Sequence, residues 1–269
     1  MESATKPAVA ADRSTGPRHP LRWIASVLLV IFIAGGILLT QQGGDGSGPL
    51  NAMAKAAEVT QSEPGGHLAV HGLIAVPNAP NPLPLTGKMV YDNEGRSRGY
   101  MTVADPKTGG TVKLLMAATQ THMYISSELF GSLPGGRKWM GLDFPSTPGS
   151  TSTVGANDSA QQGFKMLEEA GEVERVGRGK VLGVEATHYR GTLDGSDAEG
   201  SGGPRIEAWI DGQERVRRMR IVGSPSQSNL DTTMDFFDFG KVPPIAMPGP
   251  SDVFDASSLV EDEASENDG

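Results

Sequence analysis

The feature that most constrains this chain is a change of period after Gly66. The runs HLAVHGLIAV, GKMVYD, GYMTVAD, TVKLLMAAT and HMYISS succeed one another with apolar residues at alternate positions. Alternation of this kind puts every second side chain on the same side of a strand. Between the runs stand Asp92-Asn93-Glu94-Gly95 and Asp105-Pro106-Lys107-Thr108-Gly109-Gly110, residues that supply the backbone angles of tight reversals. The spacing therefore predicts antiparallel hairpins. After Gly171 it resumes in GEVERVGRGKV, GVEATHYRGTL, PRIEAWIDG, RVRRMRIVG and LDTTMDFFDFG, broken by Gly183, the polar stretch Asp194 to Gly203, and Asp211-Gly212.

Two segments have helical spacing instead. PLNAMAKAAEVTQSE aligns Leu50, Met53, Ala54 and Ala57, with Pro49 suited to a first helical position and Pro64-Gly65-Gly66 ending the element. In SAQQGFKMLEEA, Phe164, Met166 and Leu167 form the apolar stripe, Asp158 or Ser159 caps the start, and Gly171 stands just past the end. Between the two strand groups, Glu128 to Leu133 reads as a short helical turn, WMGLDF as a strand and Pro145 to Asn157 as a loop. The expected class is α+β: a strongly curved antiparallel sheet whose concave face is filled by helix, ligand or both.

Ahead of this domain, Trp23 to Leu39 runs seventeen residues without a charge, at the short end of the roughly 17–25 residues a membrane helix needs. Lys6, Arg13, Arg18 and Arg22 outnumber Glu2 and Asp12 before it, so the positive-inside bias keeps the N-terminus cytoplasmic and exports the chain beyond Thr40. A cleaved signal peptide is the competing reading. It calls for a shorter apolar core and a small-x-small site, and only Gly44-Asp45-Gly46 and Gly46-Ser47-Gly48 offer weak ones. The expected layout is a cytoplasmic tail over 1–22, a transmembrane signal anchor over 23–40, a Gly-rich linker over 41–48, the exported domain over 49–250 and an acidic disordered tail over 251–269.

With no cysteine, disulfides, thiolate metal ligands, a cysteine nucleophile and a lipid-modified cysteine anchor are all excluded. The net charge of −9 is concentrated in the last eighteen residues, where seven acids meet no base. The near-neutral remainder lacks the clustered basic face that nucleic acid requires.

Catalysis finds little support. No Gly-x-Ser-x-Gly elbow occurs. His67 and His71 are four apart, but that spacing aligns metal ligands on a helix and these lie in a strand. Glu168-Glu169 and the pair Asp235 and Asp238 read as solvated neighbours rather than an acid–base pair. The basic run RVRRMR, with Arg215, Arg217, Arg218 and Arg220, reads as a solvated strand edge, with anionic head-group contact as the functional alternative. Neither a cofactor nor a metal is expected, and no enzyme activity.

The order of features resembles the actinobacterial LppX/LprG-like lipoproteins, whose fold is related to the LolA and LolB lipoprotein carriers. The segments that carry the resemblance are Met123-Tyr124-Ile125 with KWMGLD from Lys138, then GKVLGVEATHYRGTLD, IEAWIDGQERVRRMRI and TTMDFFDFGKVPPIAMPGP. It implies a half-barrel sheet wrapped round one or two helices, enclosing an apolar cavity that accepts acyl chains. The cavity-lining candidates are Met89, Tyr91, Leu114, Met116, Met123, Ile125, Met140, Leu142, Phe164 and Leu167. An ordinary packed core has the same periodicity, and both readings stay open. The resemblance implies a lipid or acylated ligand as partner, and the apolar run adds the cell membrane through the N-terminal helix; the alternative function is an envelope sensor or protein-interaction ectodomain with no lipid cargo, whose partner is another envelope protein. One departure stands out: the relatives are fixed through a cysteine that this chain lacks.

Overall fold

In the computed structural model, residues 48–74, 81–105, 108–143, 167, 170–192, 205–223, 231–240 and 242–256 are described. The helix α1 (Pro49–Ser62) leads into β1 (Gly65–Ile74), β2 (Leu83–Asp92), β3 (Ser97–Ala104), β4 (Thr111–Ala118), β5 (His122–Ser126) and β6 (Trp139–Asp143). After them come β7 (Gly171–Val181), β8 (Val184–Thr192), β9 (Arg205–Asp211), β10 (Val216–Val222), β11 (Asp231–Phe237) and the short β12 (Val253–Asp255). The run 23–39 lies outside the described residues; among those described, no helix is long and apolar enough to cross a membrane. The second predicted helix also falls outside them, save Leu167, which is helical and fully buried, and Ala170, which is buried but not helical.

All twelve strands belong to one curved, open sheet, ordered β12, β6, β5, β4, β3, β2, β1, β11, β10, β9, β8, β7. Two meanders, β1 to β6 and β7 to β11, each pair strand to next strand as the turn chemistry predicts. They are joined where β1 lies antiparallel to β11, with Leu68 opposite Phe236 and Val70 opposite Met234. No local turn connects that pair, and the shared apolar face helps to set its register.

The same two-residue period fixes which face is inside. Directly opposed residues share a face, so one row runs Phe236, Leu68, Met89, Gly99, Met116, Ile125, Met140 from β11 to β6. A second runs Ala208, Met219, Met234, Val70, Gly87, Met101, Leu114. Gly99 is required where it stands, because a Cβ there would lie 2.0 Å from the Lys88 carbonyl oxygen and 2.7 Å from Met89 Cα. Helix α1 packs against β7, β9 and β10 on the core side and buries Met53, Ala56 and Ala57.

Thr60 pins that helix to the sheet. Its hydroxyl donates to the Ala56 carbonyl at 2.6 Å and accepts the Val216 N–H at 2.8 Å, with both residues buried. The ladder between β9 and β10 shifts register between Val216 and Arg218, and a bulge leaves a strand N–H without its usual partner. Thr60 supplies the missing acceptor.

The C-terminal boundary needs correction. Residues 251–256, expected to belong to the tail, are structured: Val253–Asp255 forms β12, parallel to β6. Lys138 N–H donates to the Asp252 carbonyl at 3.0 Å and Ala256 N–H to the Gly141 carbonyl at 2.9 Å. A three-residue strand after a proline-rich stretch carries no alternation to read, and its pairing depends on an edge formed more than a hundred residues earlier.

Candidate functional site

The sheet's inner face is a continuous apolar surface, and it gathers most of the residues singled out from the sequence. Leu114, Met116, Met123 and Ile125 are at most 2 % exposed and Met89 and Met140 no more than 7 %. Tyr91 and Leu142 are partly buried against the same cluster, and Leu167 is sealed within it beside Met53, Ala56 and Ala57 of α1. Phe164 lies outside the described residues. Met53, Met89, Met101, Met116, Met123, Met140, Met219 and Met234 are all buried. Thioethers on unbranched stems adapt to varied apolar shapes.

One end of this face turns polar. There Asp92 accepts the N–H groups of Glu94 and Arg96 at 3.0 and 2.9 Å and holds the Arg96 guanidinium at 2.8 Å. Asp211 repeats the arrangement, accepting from Gln213 N–H at 2.8 Å, Arg215 N–H at 3.0 Å and the Arg215 guanidinium at 3.1 Å. Both turns sit at the end of the sheet where α1 enters β1, since Asp92 opposes Gly65 and β10 runs beside the end of β11. Asp211 also takes Arg217 Nε at 2.7 Å, Glu63 lies 3.4 Å from Arg215, and both guanidiniums stack on Phe239 at 4.8 Å. Burial works to raise the Asp211 pKa, but these hydrogen bonds outweigh it and hold the carboxyl below the usual carboxylate range.

Tyr91 belongs to this end. Its ring meets Phe236 edge-on at 6.5 Å, and its hydroxyl oxygen is buried with no hydrogen-bond partner among the described residues. A Cβ at Gly66 would come within 2.8 Å of that oxygen, so the glycine makes room for it. Burial drives the phenol pKa well above the tyrosine range, Glu63 adds to the rise, and Arg215 and Arg217 oppose it. From the sequence Tyr91 is only part of an apolar wall; its unpaired hydroxyl has no sequence signature.

The outer face is charge-matched where the arginine cluster lies. Arg218 grips Asp235 through two bonds of 2.5 and 2.8 Å, and Arg220 grips Asp231 at 2.9 and 2.7 Å. The solvated-edge reading of RVRRMR is overturned: β10 is interior, between β9 and β11. Carboxylates of β11 pair with these two partly exposed arginines, which removes them as free head-group ligands. Asp235 is held by Arg218 rather than coupled to Asp238, and Glu168-Glu169 lie outside the described residues. Of the histidines, His67 stacks on Phe237 at 5.6 Å, and His188 lies on Trp209 at 4.1 Å with Glu207 at 3.2 Å. Among the described residues no three His, Cys, Asp or Glu side chains converge as a metal site.

No family model matches the chain. An uncharacterized 31.2 kDa protein from the rplA–rplJ intergenic region of Streptomyces griseus is 27 % identical over 125 residues, 39 % of this chain and 41 % of that protein. A candidate lipoprotein of Streptomyces coelicolor is 24 % identical over 143 residues, 51 % of this chain and 48 % of that one. The chain thus spans about half the length of the curated relatives it matches. Among solved structures, LprF from Mycobacterium bovis is similar at a TM-score of 0.46 and 14 % identity, covering 77 % of this chain and 99 % of that one. LppX from Mycobacterium tuberculosis is similar at 0.47 and 12 %, covering 74 % and 98 %.

Proposed function

We propose that this chain is an extracytoplasmic binding protein of the cell envelope that holds lipid or another acylated ligand against the inner face of a half-barrel, with residues 23–40 as its membrane anchor. The observation that carries the reading is the apolar face from β6 to β9, lined with methionine and backed, among the described residues, by α1 at its β7, β9 and β10 end and by the helical Leu167. Each CH₂ moved from water to such a surface contributes about 0.8 kcal/mol, so an acyl chain gains affinity there without a specific polar contact. The resemblance to a candidate lipoprotein supports the envelope location.

Native mass spectrometry of the protein purified from its own host is the direct test, with bound lipid expected. Met116→Trp and Met123→Trp fill the face where it is most deeply buried. They should weaken displacement of a fluorescent acyl probe more than they lower the melting temperature. Unfolding of both variants, together with a lipid-free wild-type protein that ignores the probe, would make the face a packed core. A protein-interaction role would then lead.

A further inference from the structure

We propose that the polar end of the inner face is a head-group site for an anionic amphiphile, in which the Tyr91 hydroxyl and the terminal guanidinium nitrogens of Arg217 receive the ligand's negatively charged oxygens. This rests on the apolar-face reading above and adds the chemistry of the ligand's other end.

At this end the Tyr91 hydroxyl has no acceptor among the described residues, and the Arg217 guanidinium meets Asp211 through Nε. A buried hydroxyl left unsatisfied costs on the order of 1–3 kcal/mol, and Tyr91 carries one where β1 and β2 meet. Raised well above the tyrosine range by burial, the phenol keeps its proton across the physiological range. The second donor is Arg217, whose side chain is 13 % exposed and bonds Asp211 through Nε. Asp211 already serves the Arg215 guanidinium and two backbone N–H groups. Arg215 is further held by Glu63 and Gln213, so among the described residues Arg217 is the less committed of the two arginines. Stacking on Phe239 at 4.8 Å limits the directions the Arg217 guanidinium can take.

The position also suits an amphiphile. Tyr91 stands two residues beyond Met89 on the inner side of β2 and meets Phe236, so a ligand with its charged group here lays its chain directly onto the methionine rows. A carboxylate or a phosphate monoanion has the required oxygens; a neutral ester or alcohol lacks the charge that a guanidinium and a phenol stabilise together.

The test uses the full-length chain in amphipol and displacement of a fluorescent acyl probe by oleate or by methyl oleate, whose chains are the same. Wild-type protein should favour oleate. Tyr91→Phe should lower that preference about tenfold, the loss of one charge-assisted hydrogen bond, with a melting temperature unchanged or higher. Arg217→Lys, which keeps the charge but not the fork, should lower the preference less. If methyl oleate displaces the probe as well as oleate does, or Tyr91→Phe leaves the ratio unchanged, the head-group site is wrong and the apolar-face reading survives. Failure of both ligands to displace the probe overturns the two together.

Discussion

Replacing Thr60 by valine isolates the link between α1 and the bulge in β10. Valine has nearly the same shape, so no cavity opens, but the acceptor for the Val216 N–H disappears. Val216 is fully buried and Thr60 is 1 % exposed, so water cannot take over. An unsatisfied buried donor costs about 1–3 kcal/mol, against which valine returns a small transfer gain. For a domain of this size that predicts a fall in melting temperature of roughly 4–8 °C per 2 kcal/mol. Thermal unfolding followed by circular dichroism measures it, with Thr60→Ser as the control that keeps the hydroxyl and loses only a methyl group. The larger loss should come from valine. A valine variant as stable as wild type, or a serine variant less stable than the valine one, would mean that packing of the methyl, not the hydrogen bond to Val216, fastens the helix.

Gly99→Ala should destabilise strongly, since its new Cβ meets the Lys88 carbonyl oxygen, a backbone atom of β2 that cannot swing aside; a urea midpoint unchanged from wild type would refute the register. Asp211 and Asp231 both have depressed carboxyl pKa values, the latter held down chiefly by Arg220. Depressed acids contribute stability that is present above the unfolded carboxylate pKa of about 3.9 and lost as pH falls through the folded value. Asp231→Asn should therefore flatten the acid limb of a stability–pH curve measured from pH 7 downward. Deleting residues 257–269 should leave the melting temperature unchanged, whereas cutting back to Pro250 should lower it, because the second deletion removes β12 and uncovers the edge of β6.

The fold was largely legible because its information is local. Period-two apolar residues and Asp/Asn/Gly turns are short-range signals, and β7 falls on the predicted run from Gly171 to Val181. What escaped is long-range. The pairing of β1 with β11 joins segments some 160 residues apart with no turn to announce it, and β12 is too short to show a period. The bulge at Val216 was equally silent, since a register shift is a property of two strands rather than one. It altered the expected faces: strict alternation sends Val216 and Met219 to opposite sides, yet both are fully buried.

The candidate site divides along the same line. Its apolar wall could be named from alternation alone, because a buried strand face is written into each strand separately. Its polar end could not, because Glu63 ends a helix, Tyr91 closes β2, and Arg215 and Arg217 open β10, and only the β1–β11 junction brings these three places together. Composition hid them further. RVRRMR looks like one basic cluster, but the fold splits it by function: Arg218 and Arg220 are neutralised by Asp235 and Asp231 on the outer face, while Arg215 and Arg217 share Asp211 at the end of the inner one. A charge count over the segment therefore misjudges both faces. What distinguishes the arginines is the number of carboxylate oxygens each has been given, a quantity that exists only once strands are in register.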